Sequence, residues 1–112
     1  MHRQLDDKTL VAGQIRPEDV PALKELGVTL IVNNRPDFED AGQPEGDDIE
    51  AMREAMHSAG DGKLFAFCRS GNRSTLAWAV ARSEDGVSSA ELNRMANEAG
   101  FDLGPVAHLI GD

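Results

Sequence analysis

The chain has 112 residues, of which 40% are hydrophobic and 28% are charged, as is typical of one small globular domain spanning residues 1–112. Its 11 basic and 20 acidic residues give a formal net charge of −9, which disfavours nucleic acid and anionic membranes as partners. No run approaches the roughly 18 apolar residues of a membrane helix, and the first ten residues do not resemble a signal peptide. We therefore expect a cytoplasmic protein.

The first half of the chain alternates between strand and helix patterns. Apolar pieces on either side of the turn-forming residues 6–8 predict a hairpin. Residues 16–27 fit a short helix, with Pro17 near its start and Gly27 placed for a left-handed cap. Residues 28–34, VTLIVNN, are β-branched and apolar on both faces, which is typical of a buried interior parallel strand.

The second half continues the alternation. Residues 35–48 are rich in proline, glycine and acids, so a loop is expected there. Residues 47–60 have an isoleucine and two methionines at helical spacing, and residues 63–68, KLFAFC, predict a second buried strand. Helical patterns return at residues 73–84, 88–100 and 103–111. The order predicts an α/β fold with a small, partly parallel sheet of about four strands flanked by helices.

The single cysteine, Cys68, stands where a strand gives way to a helix in the segment LFAFCRSGNRST. In open α/β sheets, ligands bind beyond the carboxyl ends of the strands, where the next helix offers unpaired N–H groups and a partial positive charge. A lone cysteine is commonly only a small buried hydrophobe. However, a cysteine with glycine at +3, arginine at +5 and serine at +6 favours an anion-binding nucleophile.

The loop that follows Cys68 supplies the other parts of the predicted site. Gly71 allows successive amides to converge on an anion, and Arg73 can hold a tetrahedral oxyanion through two parallel hydrogen bonds. The other candidate anion-binding residues are Arg69, Ser70, Asn72 and Ser74. A thiolate in such a loop needs neither metal nor nucleotide, and the three histidines are scattered, so we expect a small anionic substrate and no cofactor.

Two stretches, GQIRPEDVPALKELGVTLIVNNRPDFEDAGQP and LFAFCRSGNRSTLAWAVA, resemble the bacterial phosphatase-like domain that also occurs fused to β-lactamase-fold hydrolases. The resemblance implies a fold like the dual-specificity tyrosine phosphatases, with Cys68 as the covalent nucleophile and the loop through Ser74 as the anion cradle. It also implies that the NNRPD motif lies at the same strand-end surface. Arg35 or Asp37 would then line the pocket, with Asp37 a candidate acid.

The sequence departs from the phosphatase pattern in two ways. Tyrosine phosphatases have a C-x5-R loop, whereas this chain has C-x4-R, with Ser74 at the place of the phosphatase arginine. The shorter loop is similar to that of rhodaneses, which transfer sulfur through a persulfide. Relatives also usually have roughly two dozen further residues before the helix that precedes the cysteine strand, which makes this domain small. That block would hold a sheet-edge strand and the loop with the phosphatase general acid.

These departures favour sulfur transfer over phosphate hydrolysis. Sulfur transfer through a Cys68 persulfide needs no proton for a leaving oxygen, so we expect a sulfurtransferase. Two alternatives stay open: a phosphatase-like hydrolase acting through a Cys68 phosphocysteine, and an inactive anion-binding or protein-binding module. With the block missing, residues 28–34 become the edge of the sheet, and we expect a homodimer through that exposed edge.

Overall fold

A computed structural model of the chain describes residues 2–34, 46–60, 62–69 and 71–110. In chain order its elements are β1 (His2–Asp6), β2 (Thr9–Ala12), a 3-10 turn (Pro17–Asp19), α1 (Val20–Glu25), β3 (Val28–Asn33), α2 (Gly46–Ala59), β4 (Lys63–Phe67), α3 (Asn72–Glu84), α4 (Ser89–Glu98) and a second 3-10 turn (Gly104–Val106). Strands and helices alternate through most of this order. The α/β class expected from the sequence is confirmed.

The four strands form one mixed sheet in the order β1-β2-β4-β3. The first two make the predicted antiparallel hairpin, while β2 and β3 both run parallel to β4. In this register Phe67 of β4 lies opposite Ala12 of β2 on one side and Asn33 of β3 on the other. The carboxyl ends of the three parallel strands therefore meet at one end of the sheet.

The main core lies between the sheet and the helices α2, α3 and α4. Its largest fully buried side chains include Trp78, Met52, Leu76 and Leu92. A smaller cluster on the opposite face packs Leu23 of α1 against the sheet. Helices thus cover both faces, as parallel strands require.

Helix α3 is more enclosed than its sequence pattern indicated. The predicted apolar face is buried, but so is every residue from Ser74 to Ala81. The reason is that α3 contacts α2, α4, strand β2 and the second 3-10 turn. Because α3 is central, the residues at its amino end are held by packing on several sides.

The expectation of an interior strand at residues 28–34 is wrong. Strand β3 is the last in the order of the described sheet, and of its six residues Val28 alone is fully buried, while Thr29, Ile31 and Asn33 are exposed. Helix α1 is too short, at six residues, to cover that face completely. The edge position that the resemblance implied is therefore confirmed among the described residues.

Helix ends follow the predicted signals closely. Gly27 has a φ of 93° just after α1, and Ser88 caps α4 by accepting a hydrogen bond from the Glu91 N–H.

The last predicted helix is reduced to one 3-10 turn. The predicted loop ends earlier than expected, since α2 begins at Gly46. In the described parts of the chain, no helix is both long and apolar enough to cross a membrane.

Candidate active site

Cys68 lies directly beyond the carboxyl end of β4. Its backbone N–H donates to the Ala12 carbonyl at 3.2 Å, which extends the parallel pairing with β2 by one residue. The side chain is buried, with 2% of the residue exposed. The sulfur is thus held at the end of the sheet where ligands bind in open α/β folds.

Gly71 joins the cysteine loop to α3 and faces the sulfur. Its N–H donates to Cys68 Sγ at 3.0 Å, and its φ of 87° lies in the left-handed region that favours glycine. A Cβ at this position would lie 3.3 Å from Phe101 Cζ and 3.4 Å from the Ala12 carbonyl carbon. The tight turn therefore aims a backbone donor from the positive end of a helix at the sulfur, which favours negative charge there.

Two hydroxyl groups hold the first turn of α3. Thr75 Oγ1 donates to the Gly71 carbonyl at 2.8 Å, and Ser74 Oγ donates to Asn34 Oδ1, also at 2.8 Å. All four residues are buried. The loop is therefore fixed by bonds within itself and by the side chain of the residue that follows β3.

That side chain, Asn34, was not singled out from the sequence. It follows β3 and is 3% exposed, and its backbone N–H donates to the Phe67 carbonyl at 2.8 Å. The available signal was a polar residue at the carboxyl end of an apolar strand, in the motif already expected at this surface. The pairing with Ser74, 40 residues away, has no local sequence signature.

The other predicted site residues are placed as follows. Arg73 is partly buried in the first turn of α3, beside the exposed Asn72, and Arg69 is exposed in the loop. Ser70, Arg35 and Asp37 lie outside the described residues, so their roles stay predictions. Within the described ranges, no three His, Cys, Asp or Glu side chains cluster in a way that could hold a metal ion.

A cavity of about 450 Å³ lies at the other end of the sheet, where β2 and β4 begin. Its lining includes Asp6, Lys8, His57 and Arg82, but neither Cys68 nor any described residue of its loop. The cavity and the cysteine loop thus lie at opposite ends of the sheet. The candidate active site is assigned by the sulfur and its helix terminus, because those groups can carry out a reaction.

Comparison with known proteins shows which proteins the chain resembles. The phosphatase-like domain of beta-lactamase hydrolase-like proteins matches residues 41–85, a span that includes Cys68. A beta-lactamase hydrolase-like protein of Agrobacterium fabrum is 26% identical over 127 residues, covering 89% of this chain. A beta-lactamase hydrolase-like protein from Xylella fastidiosa is 24% identical over 127 residues and also covers 89% of this chain. The chain is therefore similar to this phosphatase-like domain. The resemblance noted in the sequence is confirmed.

The chain spans 29% of the length of these curated relatives. The alignment also bears on the missing block. The alignment runs over 127 positions, whereas 89% of the 112 residues of this chain is about 100. At about 27 positions (127 less 100) the relative therefore has a residue and this chain has none. This agrees in size with the block expected to be absent.

Solved structures agree on the fold. A candidate phosphatase from Neisseria meningitidis superposes with a TM-score of 0.68 at 25% identity, covering 93% of this chain and 92% of that one. The PTP-2 phosphatase of Cydia pomonella gives a TM-score of 0.71 at 12% identity, covering 97% and 85%. The fold is therefore that of the tyrosine phosphatases, as the resemblance implied.

Proposed function

We propose that the protein is a sulfurtransferase that carries sulfur on Cys68 as a persulfide. The observation that carries the proposal is the Gly71 N–H held 3.0 Å from Cys68 Sγ at the amino end of α3. A backbone donor at a helix amino end favours an anion beside it, and in the proposed reaction Cys68 attacks the outer sulfur of a thiosulfate-like donor as a thiolate.

In the first step the Cys68 thiolate attacks the outer sulfur of thiosulfate. A new S–S bond forms to Cys68, the bond between the two thiosulfate sulfurs breaks, and sulfite leaves with the electron pair. Arg73 and the loop amides would hold the sulfite oxygens as charge develops on them. In the second step an acceptor thiolate takes the outer sulfur, becomes a persulfide, and returns Cys68 to the thiolate.

The loop length favours sulfur over phosphate. Four residues separate Cys68 from Arg73, one fewer than in the C-x5-R loop of tyrosine phosphatases. Sulfite leaves as a stable anion, whereas the alkoxide of a phosphate monoester needs a proton from a positioned acid, typically worth about 10²–10⁴ in rate. The block expected to hold that acid corresponds in size to the unaligned positions.

Mass spectrometry after exposure to thiosulfate tests the proposal. We expect a mass gain of one sulfur on the peptide containing Cys68, reversed by a thiol acceptor, with one sulfite released per sulfur bound. The Cys68→Ser variant is the control and should gain nothing. Sulfite release without a modified Cys68 would contradict the persulfide mechanism.

A second candidate is a phosphatase-like hydrolase that forms a phosphocysteine at Cys68. It is favoured by the name of the matching family and by the phosphatase fold of the structural relatives. Arg73 would hold the phosphoryl oxygens, and an acid from residues 37–48 would have to protonate the leaving group. Acid-quenched reaction with a phosphomonoester distinguishes this candidate, because it would trap a phosphate on Cys68. If neither adduct forms, an anion-binding or protein-binding module becomes the better description.

A further inference from the structure

One residue outside the cysteine loop contacts both ends of it. The Asn34 backbone N–H donates to the carbonyl of Phe67, the residue before Cys68, at 2.8 Å. The Asn34 side chain accepts the hydroxyl of Ser74, six residues after the cysteine, also at 2.8 Å. Asn34 thus spans the loop from its strand side to its helix side.

We propose that Asn34 is a positioning residue for the anion cradle, acting through Ser74. The proposal deepens the proposed function of the same site and rests on it for its effect on catalysis. A serine hydroxyl has one hydrogen to donate, and here that hydrogen is given to Asn34 Oδ1. The bond therefore fixes the residue that follows Arg73, and with it the first turn of α3.

The proposed positioning of the first turn of α3 depends on the side chain of Asn34 and not on its backbone. Any non-proline residue would keep the N–H bond to Phe67, but an acceptor for Ser74 requires the side-chain oxygen. Ser74 is 0% and Asn34 is 3% exposed, so truncating either one leaves a buried polar partner without its bond. The first turn is then free to shift, and a displacement of about 1 Å in a reacting geometry costs as much as about 10²-fold in rate.

A double-mutant cycle on anion binding tests the proposal. In a Cys68→Ser background thiosulfate binds but transfers no sulfur, so its Kd, measured by calorimetry, reports the cradle alone. We expect Asn34→Ala and Ser74→Ala each to raise this Kd by about tenfold. The double variant should bind no more weakly than the weaker-binding single variant, because both changes remove one interaction. Additive effects, or an unchanged Kd in Asn34→Ala, would overturn the proposal.

A control from the same helix separates positioning from loss of stability. Trp78 Nε1 donates to Asp6 Oδ2 at 2.9 Å, a side-chain bond of similar length away from the cysteine loop. Trp78→Phe removes that bond and should lower Tm without changing the Kd for thiosulfate. If the Kd rises in proportion to the loss of Tm in every variant, stability alone explains the effect and the proposal fails.

The outcomes also separate this proposal from the proposed function. If wild-type protein forms no persulfide but the two variants still show coupled losses of thiosulfate binding, the sulfurtransferase is wrong and the positioning role stands. If persulfide forms and Asn34→Ala binds thiosulfate as tightly as the parent, the positioning role alone is wrong. If thiosulfate, sulfate and phosphate all fail to bind, both are wrong.

Discussion

The two ends of the parallel strands share one helix but differ in chemistry. At the carboxyl ends, α3 begins beside Cys68, and the N–H of its N-cap residue Gly71 donates to the sulfur. At the amino ends, α3 finishes with Arg82 in its last turn, 3.7 Å from Asp6 and 3.7 Å from Asp85. The helix dipole favours an anion at the first end and a cation at the second.

Polar burial and cavity volume do not by themselves mark a reactive site. The cavity lies at the amino ends of the strands, where Asp6 already accepts from Trp78 and pairs with Arg82. Asp6 and Arg82 therefore already have partners within the fold. At the other end the proposed nucleophile, Cys68, accepts from the Gly71 N–H at the start of α3, and its described hydrogen-bond partners include no carboxylate. The direction of α3 therefore determines which end of the strands favours a bound or developing anion.

The largest expected effect comes from removing the nucleophile. Cys68→Ser should lower sulfur transfer by at least about 10³-fold, since loss of a nucleophile removes the covalent route. Thiosulfate binding should persist, because the loop amides and Arg73 remain. Stopped turnover with retained binding, measured by sulfite release and calorimetry, is the expected result. Retained turnover would remove Cys68 as the nucleophile.

The two arginines of α3 provide the next comparison. Arg73→Lys keeps the charge but loses the forked donor geometry, so we expect transfer to fall by about 10- to 100-fold. Arg82→Lys, at the other end of the same helix, should leave transfer unchanged. Steady-state kinetics of sulfur transfer by both variants tests this prediction. Equal losses would show that the two ends are not functionally distinct.

Two glycines with positive φ flank the same helix and allow a matched test. Gly71→Ala and Gly86→Ala, at φ values of 87° and 99°, should each cost about 1–2 kcal/mol of backbone strain. An added Cβ at Gly71 meets Phe101 and Ala12, whereas at Gly86 it meets nothing within 4 Å. Only Gly71→Ala should therefore also weaken thiosulfate binding. Denaturant unfolding and calorimetry would reveal whether the two effects separate in this way.

The smallest effect on the site is expected from changing the sheet edge. Strand β3 contains no charged residue or proline, and Ile31 is 37% exposed on it, so we predict a homodimer through this edge. Sedimentation at high concentration should detect the dimer, and Ile31→Lys should shift it to monomer with little change in sulfur transfer. A wild-type protein that stays monomeric would contradict the prediction.

The parts of the structure that depend on neighbouring residues were predictable. The hairpin, the strand before Cys68, the glycine at a positive φ and the serine cap of α4 all follow from short stretches of sequence. Residues distant in the chain determined the rest. Strand β3 has the composition of an interior strand, but the strand order leaves it at the edge of the described sheet.

For the candidate site, the division between sequence and structure is equally clear. The proposed nucleophile, the glycine that turns the loop and the arginine in the first helical turn could be located from the sequence, because they lie within six consecutive residues. Only the tertiary structure brought Asn34 to Ser74, 40 residues apart. Local steric and hydrogen-bonding preferences are readable from neighbouring residues, whereas contacts between distant segments depend on how the strands and helices pack.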